Sequence, residues 1–211
     1  MLEIVDIIIN IDRYLETIFS RIGKWIYVVL FIIVFSETGL VVAPFLPGDS
    51  LLFAVGALSS RELICPWSSF IILSLAATLG NTVNYHIGKY VGPKVFSKEK
   101  SRFFNKKHLE TTAAFYEKHG AKTIIIARFL PILRTFAPFV AGIGRMKYPK
   151  FQAYNIFSSI IWSGSFIVTG YYFGNLPFVK ENFSLFILGI IIVSLLPTIY
   201  KAILIKRSKN N

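Results

Sequence analysis

Four charged residues interrupt otherwise apolar stretches of this sequence. Glu37 and Asp49 lie in one such stretch, and Arg128 and Arg134 lie in another. Arginine presents a planar fork of donors that stays protonated at any working pH, and this fork suits a phosphate group. A carboxylate held in a medium of low dielectric has its pKa raised and can take up or release a proton. The four residues therefore indicate a site that binds an anionic head group and couples its movement to protons.

These charges would be costly if they faced lipid. A charge at the bilayer centre costs about 2.5–3.5 kcal/mol, so four of them would cost on the order of 10–14 kcal/mol. Such a cost is comparable with the stability of a whole fold. We therefore expect the four side chains to face inward, to pair with one another or to line water. The alternative is a purely structural ion-pair cluster, because buried pairs add little net stability yet are costly to break.

The composition places these residues in a membrane. Of the 211 residues, 54% are hydrophobic and only 16% are charged, with a formal net charge of +12. The basic residues stand at the ends of apolar runs, which is typical of membrane anchoring, and we expect no nucleic-acid partner. Cys65 is the single cysteine, so no internal disulfide can form. Three histidines and one cysteine leave no plausible zinc spacing, and we expect no metal or other cofactor.

Both charged stretches are broken by prolines and must position the charges with irregular backbone. A straight helix cannot pass through these prolines without losing hydrogen bonds, and irregular backbone at membrane depth survives only when buried in protein or lining water. We therefore predict two re-entrant helical hairpins, hairpin 1 at about 36–58 and hairpin 2 at about 123–144. Their predicted tips are Pro47, Gly48 and Pro131. For hairpin 1, the alternative is a surface loop between two short spans.

The remaining elements complete a polytopic membrane protein. The pattern predicts an amphipathic interfacial helix over 1–24, a transport domain over 25–205 and a basic cytoplasmic tail over 206–211. Besides the hairpins, we predict membrane-spanning helices at 67–90, 148–173 and 183–205. The loop at 89–122 carries nine basic and three acidic residues, so it is predicted to be cytoplasmic. We predict an all-α, multi-pass protein of the cytoplasmic membrane with a cytoplasmic C-terminus.

The span before this basic loop carries small and polar residues on one face. Gly80, Asn84 and Gly88 recur every four residues, and small residues at this spacing permit close helix approach. We predict that Asn81, Asn84 and His86 support the charged site. His86 is also a candidate proton relay, with a polar residue near the cytoplasmic interface as the alternative.

Three short motifs recur in the same order in both halves of the chain. They are FLP at 45–47 and 129–131, FAVG and FVAG at 53–56 and 139–142, and GKYVG and GYYFG at 88–92 and 170–174. With the topology above, one hairpin enters from outside and the other from the cytoplasm, so the predicted repeat is inverted. Broken helices at matching positions of two inverted halves indicate a transporter's binding site.

The charged motifs resemble those of a known family. The sequence has Glu37, PFLPGD at 44–49, RFLPILR at 128–134, Asn155 and Trp162. This order resembles the DedA family, whose shared region is also called the VTT or SNARE-associated domain, and the resemblance covers about residues 30 to 175. It implies an inner-membrane lipid transporter. Bacterial members are implicated in returning undecaprenyl phosphate or phospholipids across the membrane with proton-motive-force dependence, and eukaryotic relatives act as scramblases.

The resemblance also implies roles for the four charged residues. The acidic pair Glu37 and Asp49 and the arginine pair Arg128 and Arg134 match positions that are functionally essential in the family. Many members have glutamate at the position of Asp49, so the acid here has a shorter reach and the same charge.

We therefore predict a flippase for a phosphate-bearing lipid, with undecaprenyl phosphate recycling as the main hypothesis. Arg128 and Arg134 bind the phosphate, and Glu37 and Asp49 couple the movement to the proton motive force. The alternatives are a phosphatidylethanolamine flippase or scramblase and a proton-coupled ion or drug antiporter, although two arginines would repel a cation. We do not expect an enzyme, because the sequence has no histidine cluster for a lipid phosphatase. The expected partners are the membrane and the anionic lipid, and the sequence leaves open whether the protein forms a homodimer.

Overall fold

Helices make up all of the regular secondary structure in the part of the chain that the structure describes. The computed structural model describes residues 21–40, 48–96 and 106–182, together with Leu185, Phe186 and Gly189. The helices are α1 (Trp25–Gly39), α2 (Gly48–Ser59), α3 (Pro66–Phe96), α4 (Lys106–His119), α5 (Thr123–Ala127), α6 (Pro131–Ile143), α7 (Tyr148–Gly174) and α8 (Pro177–Glu181), with a 3₁₀ turn at Gly120–Lys122. The predicted all-α class is confirmed for these residues.

The long helices correspond to predicted spans. The predicted span 148–173 is contained in α7, whose 27 residues make it the one described helix that is long and apolar enough to cross a membrane. The predicted span 67–90 lies in α3, which has 31 residues and continues to Phe96. Several predictions fall outside the described residues. These are residues 1–20 of the interfacial helix, the tip residue Pro47, most of the span 183–205 and the tail 206–211.

The first charged stretch differs from the predicted hairpin in where its first helix begins. Helix α1 begins at Trp25, before the predicted start of hairpin 1 at about 36, and continues through Glu37 to Gly39. No proline interrupts this part of the sequence, and the hydroxyl of Thr38 donates to the carbonyl of Val34 at 2.8 Å, within the same helix. Glu37 therefore lies in the last turn of a 15-residue helix, and Gly48 begins the next helix.

The second charged stretch forms a helix, a turn and a helix. The short helix α5 ends at Ala127, and α6 begins at Pro131 after an extended Leu130 (φ −113°, ψ 108°). Proline suits the first position of a helix, because its fixed φ is helical and its missing N–H has no intrahelical partner there. Pro138 lies inside α6 and cannot donate to the carbonyl of Arg134 four residues earlier. The predicted break therefore falls at residues 128–130.

The described residues fall into two compact units. The first unit contains the residues up to Val29, those from 48 to 70 and those from Gly164 onward. The second unit contains the residues from Leu30 to 40 and from Ile71 to Ser163. The helices α1, α3 and α7 each contribute residues to both units.

In the first unit, glycines let α2 and α7 approach closely. A Cβ atom added to Gly56 would collide with the backbone of Ile167 and Tyr171, and one added to Gly170 would collide with the backbone of Phe53. Only glycine permits this contact between the two helices, because every other residue carries a Cβ atom.

In the second unit, α6 and α3 approach in the same way. A Cβ atom on Gly142 would collide with the backbone of Tyr85 and Lys89, and one on Gly88 would collide with the backbone of Phe139. The glycines of the repeated sequence motifs therefore form the same type of helix crossing within each unit.

The helices α2 and α6 also end alike, each in a Schellman motif. At the end of α6, the N–H of Arg145 donates to the carbonyl of Gly142 and that of Met146 to Ala141, both at 3.0 Å. At the end of α2, the corresponding bonds run from Glu62 to Ser59 at 3.1 Å and from Leu63 to Leu58 at 3.3 Å.

The left-handed position of each Schellman motif is occupied by a charged residue. Glu62 has a φ of 61° and Arg145 a φ of 49°. Glycine is usual at this position, because left-handed backbone costs other residues on the order of 1 kcal/mol.

Candidate functional site

Glu37 and Arg134 form a buried ion pair within the second unit. The carboxylate Oε1 of Glu37 lies 2.5 Å from Nη2 of Arg134, and the two side chains are 4% and 9% exposed. The last turn of α1 supplies the acid and the first turn of α6 supplies the arginine. The structure thus joins one predicted proton-coupling residue to one predicted phosphate-binding residue.

Asn84 holds the backbone on either side of this ion pair. Its Nδ2 donates to the carbonyl of Thr38, next to Glu37, at 3.2 Å and to the carbonyl of Thr135, next to Arg134, at 2.9 Å. The Asn84 side chain is fully buried. Asn84 is therefore a positioning residue that fixes the helices carrying both charges.

Gly80, one turn earlier on α3, brings α1 close enough for this arrangement. A Cβ atom at Gly80 would collide with the hydroxyl of Thr38 and approach the carbonyl of Phe35. The predicted small and polar face of this helix is confirmed as a packing face, with Gly80 facing α1 and Gly88 facing α6.

Arg128 is held by polar side chains from α7. Its Nε donates to the hydroxyl of Ser158 at 2.9 Å, and its Nη2 donates to the hydroxyl of Ser159 at 2.5 Å and to Oδ1 of Asn155 at 3.2 Å. Both serine hydroxyls donate their own hydrogens to the Asn155 carbonyl, at 2.9 and 2.8 Å. Their oxygens are thereby oriented to accept from the guanidinium, which fixes the plane of Arg128.

Trp162 brings the two arginines to one ring. The guanidinium carbon of Arg128 lies 5.4 Å from the indole centroid, and that of Arg134 lies 4.7 Å from it. Trp162 is fully buried, and cations at this distance are attracted to the face of an aromatic ring. The sequence pattern predicts an interfacial or packing residue at Trp162, whereas the structure makes it the common neighbour of both predicted phosphate-binding residues.

A pattern in the sequence would have identified this part of the site. Asn155, Ser158, Ser159 and Trp162 follow the spacing i, i+3, i+4 and i+7 within an otherwise apolar helix. This spacing places all four on one face. Polar side chains aligned in this way inside a membrane span indicate an inward-facing functional surface.

Asn81 joins the cluster through Asn155. The Nδ2 of Asn81 donates to Oδ1 of Asn155 at 3.0 Å, the same atom that accepts from Arg128. Asn155 in turn donates to the carbonyl of Thr78 at 3.0 Å and to Oε1 of Gln152 at 2.9 Å. The predicted supporting residue Asn81 therefore lies one hydrogen bond from Arg128.

The remaining predicted site residues have other surroundings. Asp49 lies in the first turn of α2 and belongs to the first unit. It is half-buried beside a cavity of about 440 Å³ that is also lined by Phe53 and Phe166. His86 lies among aromatic rings, with centroids 5.4 Å from Tyr85, 6.2 Å from Tyr90 and 5.4 Å from Tyr148. The joint action of Asp49 with the other three charges stays a prediction.

Comparison with known proteins establishes the family. The family model described as the VTT domain matches residues 46–172. Protein DedA of Escherichia coli strain K12 is 49% identical over 207 residues, which covers 97% of this chain and 94% of that protein. The chain is a membrane protein of the DedA family. The resemblance seen in the sequence is thereby confirmed.

Two further relatives carry names that identify them as membrane proteins. The inner membrane protein YqjA of E. coli strain K12 is 34% identical over 158 residues, with 75% of this chain and 71% of that protein covered. An uncharacterized membrane protein of Mycobacterium leprae is 46% identical over 171 residues, with 81% and 77% covered. No solved structure matches the chain.

Proposed function

We propose that this DedA family protein moves a phosphate-bearing lipid across the membrane and that undecaprenyl phosphate, returned for reuse, is its main substrate. The observation that carries the proposal is the buried cluster in which Arg128 and Arg134 lie over Trp162 and Arg134 is paired with Glu37. Buried charges are expensive in a membrane protein, and they mark substrate and ion pathways. We infer transport and not catalysis, because these groups bind and exchange ions.

The ion pair gives a mechanism for binding the head group. A phosphate presents anionic oxygens as the Glu37 carboxylate does, so it can replace Glu37 as the partner of Arg134. The guanidinium of Arg128 is held in place by Ser158, Ser159 and Asn155, and a side chain that is already fixed loses less conformational entropy on binding. Head-group binding is thus an exchange of one anion for another at Arg134.

This exchange couples the lipid to a proton. When Glu37 takes up a proton it loses its charge, and Arg134 is left to bind the phosphate. The proton and the lipid anion are then bound together and released together, so they cross the membrane in the same direction. The proton motive force would drive the anionic lipid from the outer to the cytoplasmic side. We assign Asp49 to the same proton path as a second acid.

We further propose that the two hairpins are re-entrant and form an inverted repeat. The support is the glycine crossing of α2 with α7 in the first unit and of α6 with α3 in the second. The proposed topology places the basic loop 89–122 and the C-terminus in the cytoplasm and the protein in the inner membrane. Broken helices in opposed halves would then carry the substrate site.

A phospholipid is the second candidate substrate. Phosphatidylethanolamine also presents a phosphate to the two arginines, so the same cluster supports a phospholipid flippase or scramblase. A proton-coupled antiporter for cations is less well supported, because Glu37, the acid that would bind a cation, is already paired with Arg134.

The proposal is tested with purified protein in liposomes. Flipping of labelled undecaprenyl phosphate and of labelled phosphatidylethanolamine is measured with and without a pH gradient that is acidic on the side where the lipid starts. We expect undecaprenyl phosphate to flip faster under the gradient. We expect no flipping with the variant Arg128→Gln/Arg134→Gln. Gradient-independent movement of both lipids would support a scramblase, and movement of neither would overturn lipid transport.

A further inference from the structure

A cavity lined by cationic side chains lies at the corner between α6 and α7, in the second unit. It has a volume of about 440 Å³ and is lined by Lys89, Arg145, Lys147 and three tyrosines, Tyr85, Tyr90 and Tyr148. None of the described residues that line it is acidic. Among the described residues, no carboxylate lies within ion-pair distance of its three cations. The cavity therefore collects positive charge that the described part of the protein does not neutralise.

The cavity is shaped by close packing of the corner against α3. Gly142 brings the end of α6 against the backbone of Lys89. The hydroxyl of Tyr85 donates to the carbonyl of Met146 at 2.5 Å, which fixes the turn. The ring of Tyr85 stacks on Phe151, with centroids 4.4 Å apart. The cations thus project from a rigid frame.

Arg145 is an exposed residue with a left-handed backbone conformation. It is the left-handed residue of the Schellman motif that ends α6, with a φ of 49°. Glycine would adopt this conformation with less strain. A strained residue at a cavity is a reason to seek a function for its side chain, and this side chain lines the cavity.

The start of α7 adds to the positive potential at the same place. The first helical bond there runs from the N–H of Phe151 to the carbonyl of Lys147 at 3.0 Å, so earlier N–H groups have no intrahelical acceptor. The first turn contains no acidic residue. The helix end therefore adds partial positive charge to that of the three cationic side chains.

We propose that this cavity binds the phosphate monoester of a lipid head group at the membrane surface, as a site separate from the Arg128 and Arg134 cluster. Phosphate monoesters carry close to two negative charges at neutral pH, which matches a cavity whose described lining contains three cations and no acid. Basic pockets at the ends of membrane helices hold anionic head groups, and tyrosine rings prefer the same interface. The proposal goes beyond the proposed transport function, because this cavity can bind a head group whether or not the protein moves lipid across the membrane.

The test measures binding in detergent with the central ion pair neutralised by Glu37→Gln/Arg134→Gln. The probes are dihexanoyl phosphatidic acid, inorganic phosphate and dihexanoyl phosphatidylcholine, titrated by calorimetry. We expect phosphatidic acid to bind more tightly than the other two probes. Arg145→Gly should weaken its binding at least tenfold without lowering the unfolding temperature. Lys89→Gln/Lys147→Gln should weaken it to a similar extent.

Glu62→Gly is the matched control. Glu62 is the left-handed residue of the equivalent motif at the end of α2, so this change relieves the same backbone strain and should leave phosphatidic acid binding unchanged. Equal affinities of the Arg145→Gly and Glu62→Gly variants would overturn the site. Inorganic phosphate binding as tightly as phosphatidic acid would overturn its assignment to a lipid. Because transport is not measured, these results are independent of the flipping experiment.

Discussion

The two buried arginines differ in what holds them. Arg134 is engaged by the carboxylate of Glu37. In the proposed exchange, a phosphate takes the place of this carboxylate once Glu37 is protonated. Arg128 is oriented by two hydroxyls and an amide, which remain in place at any working pH. Arg134 is therefore suited to exchange partners during transport, and Arg128 is suited to hold a positive charge at a constant position.

Arg128→Lys tests whether the fork matters beyond its charge. An ammonium group lacks the Nε and Nη2 donors that reach Ser158 and Ser159 at once. We expect lipid flipping in liposomes to fall at least tenfold, while Arg21→Lys, the same change at an exposed residue, leaves it unaltered. Wild-type flipping by Arg128→Lys together with inactive Arg128→Gln would show that charge alone is required.

Glu37→Gln tests the coupling assigned to the acid. Glutamine keeps the size of the side chain and still accepts a hydrogen bond from Arg134, but it cannot take up a proton in this range of pH. We expect a folded, inserted protein whose flipping no longer accelerates under a pH gradient, with the same result for Asp49→Asn. Glu62→Gln, at an exposed acid, is the control. If both site variants respond as wild type does, the proton path lies elsewhere, and His86 is the next candidate.

At the scale of elements, glycines decide how closely the helices pack. The short helices α2 and α6 each press against the backbone of a long helix, and the contacts on both sides involve glycine. In the second unit, the long helix α3 also carries Asn84, whose two hydrogen bonds reach α1 and α6. The geometry of the ion pair therefore depends on the crossing of α3 with α6 at Gly88, one helical turn from Asn84.

Gly88→Ala should destabilise the second unit. The added methyl group would collide with the backbone carbonyl of Phe139, and overpacking of this kind costs about 1–3 kcal/mol. We expect a lower unfolding temperature in detergent and reduced flipping. Gly144→Ala is the control, because its Cβ atom would lie 3.4 Å from its nearest neighbour, the carbonyl of Val140. Unchanged stability of Gly88→Ala would show that the helices can separate without cost.

At the scale of the whole molecule, the distribution of charge sets the proposed orientation in the membrane. The basic segment 89–122, which includes the end of α3, is assigned to the cytoplasm, so the other end of this helix is assigned to the outside. Cys65 directly precedes α3 and is exposed. As the only cysteine in the chain, it is a natural probe of the topology.

Cys65 should react with a membrane-impermeant maleimide in intact cells or spheroplasts. Hydrogen bonds from the backbone and side chain of Ser68 lower the pKa of the Cys65 thiol. Because the thiolate is the reactive form, the labelling rate should reach half its maximum at a lower pH than for an unperturbed cysteine. A cysteine placed at exposed Lys118 in a Cys65→Ser background should react only after permeabilisation. The opposite pattern would invert the proposed topology.

Much of this architecture follows from local properties of the sequence. Apolar runs, basic clusters and prolines predict an all-α membrane protein with two broken segments, because each depends on a few neighbouring residues. The repeated glycines mark close helix approach for the same reason. The charges Glu37, Asp49, Arg128 and Arg134 stand out because a charge within an apolar run is costly wherever the fold places it.

Only the tertiary structure decided the partners of these charges. Sequence spacing fixes which residues share a helix face, but the meeting of two faces depends on how helices cross. Three contacts join residues that are far apart in the chain. Glu37 pairs with Arg134, Asn84 donates to the backbone beside each of them, and Trp162 lies beside both arginines. The left-handed conformation of Arg145 also could not be predicted from the sequence. It arises where α6 must end for α7 to begin, and nothing in the residue type of an arginine predicts it.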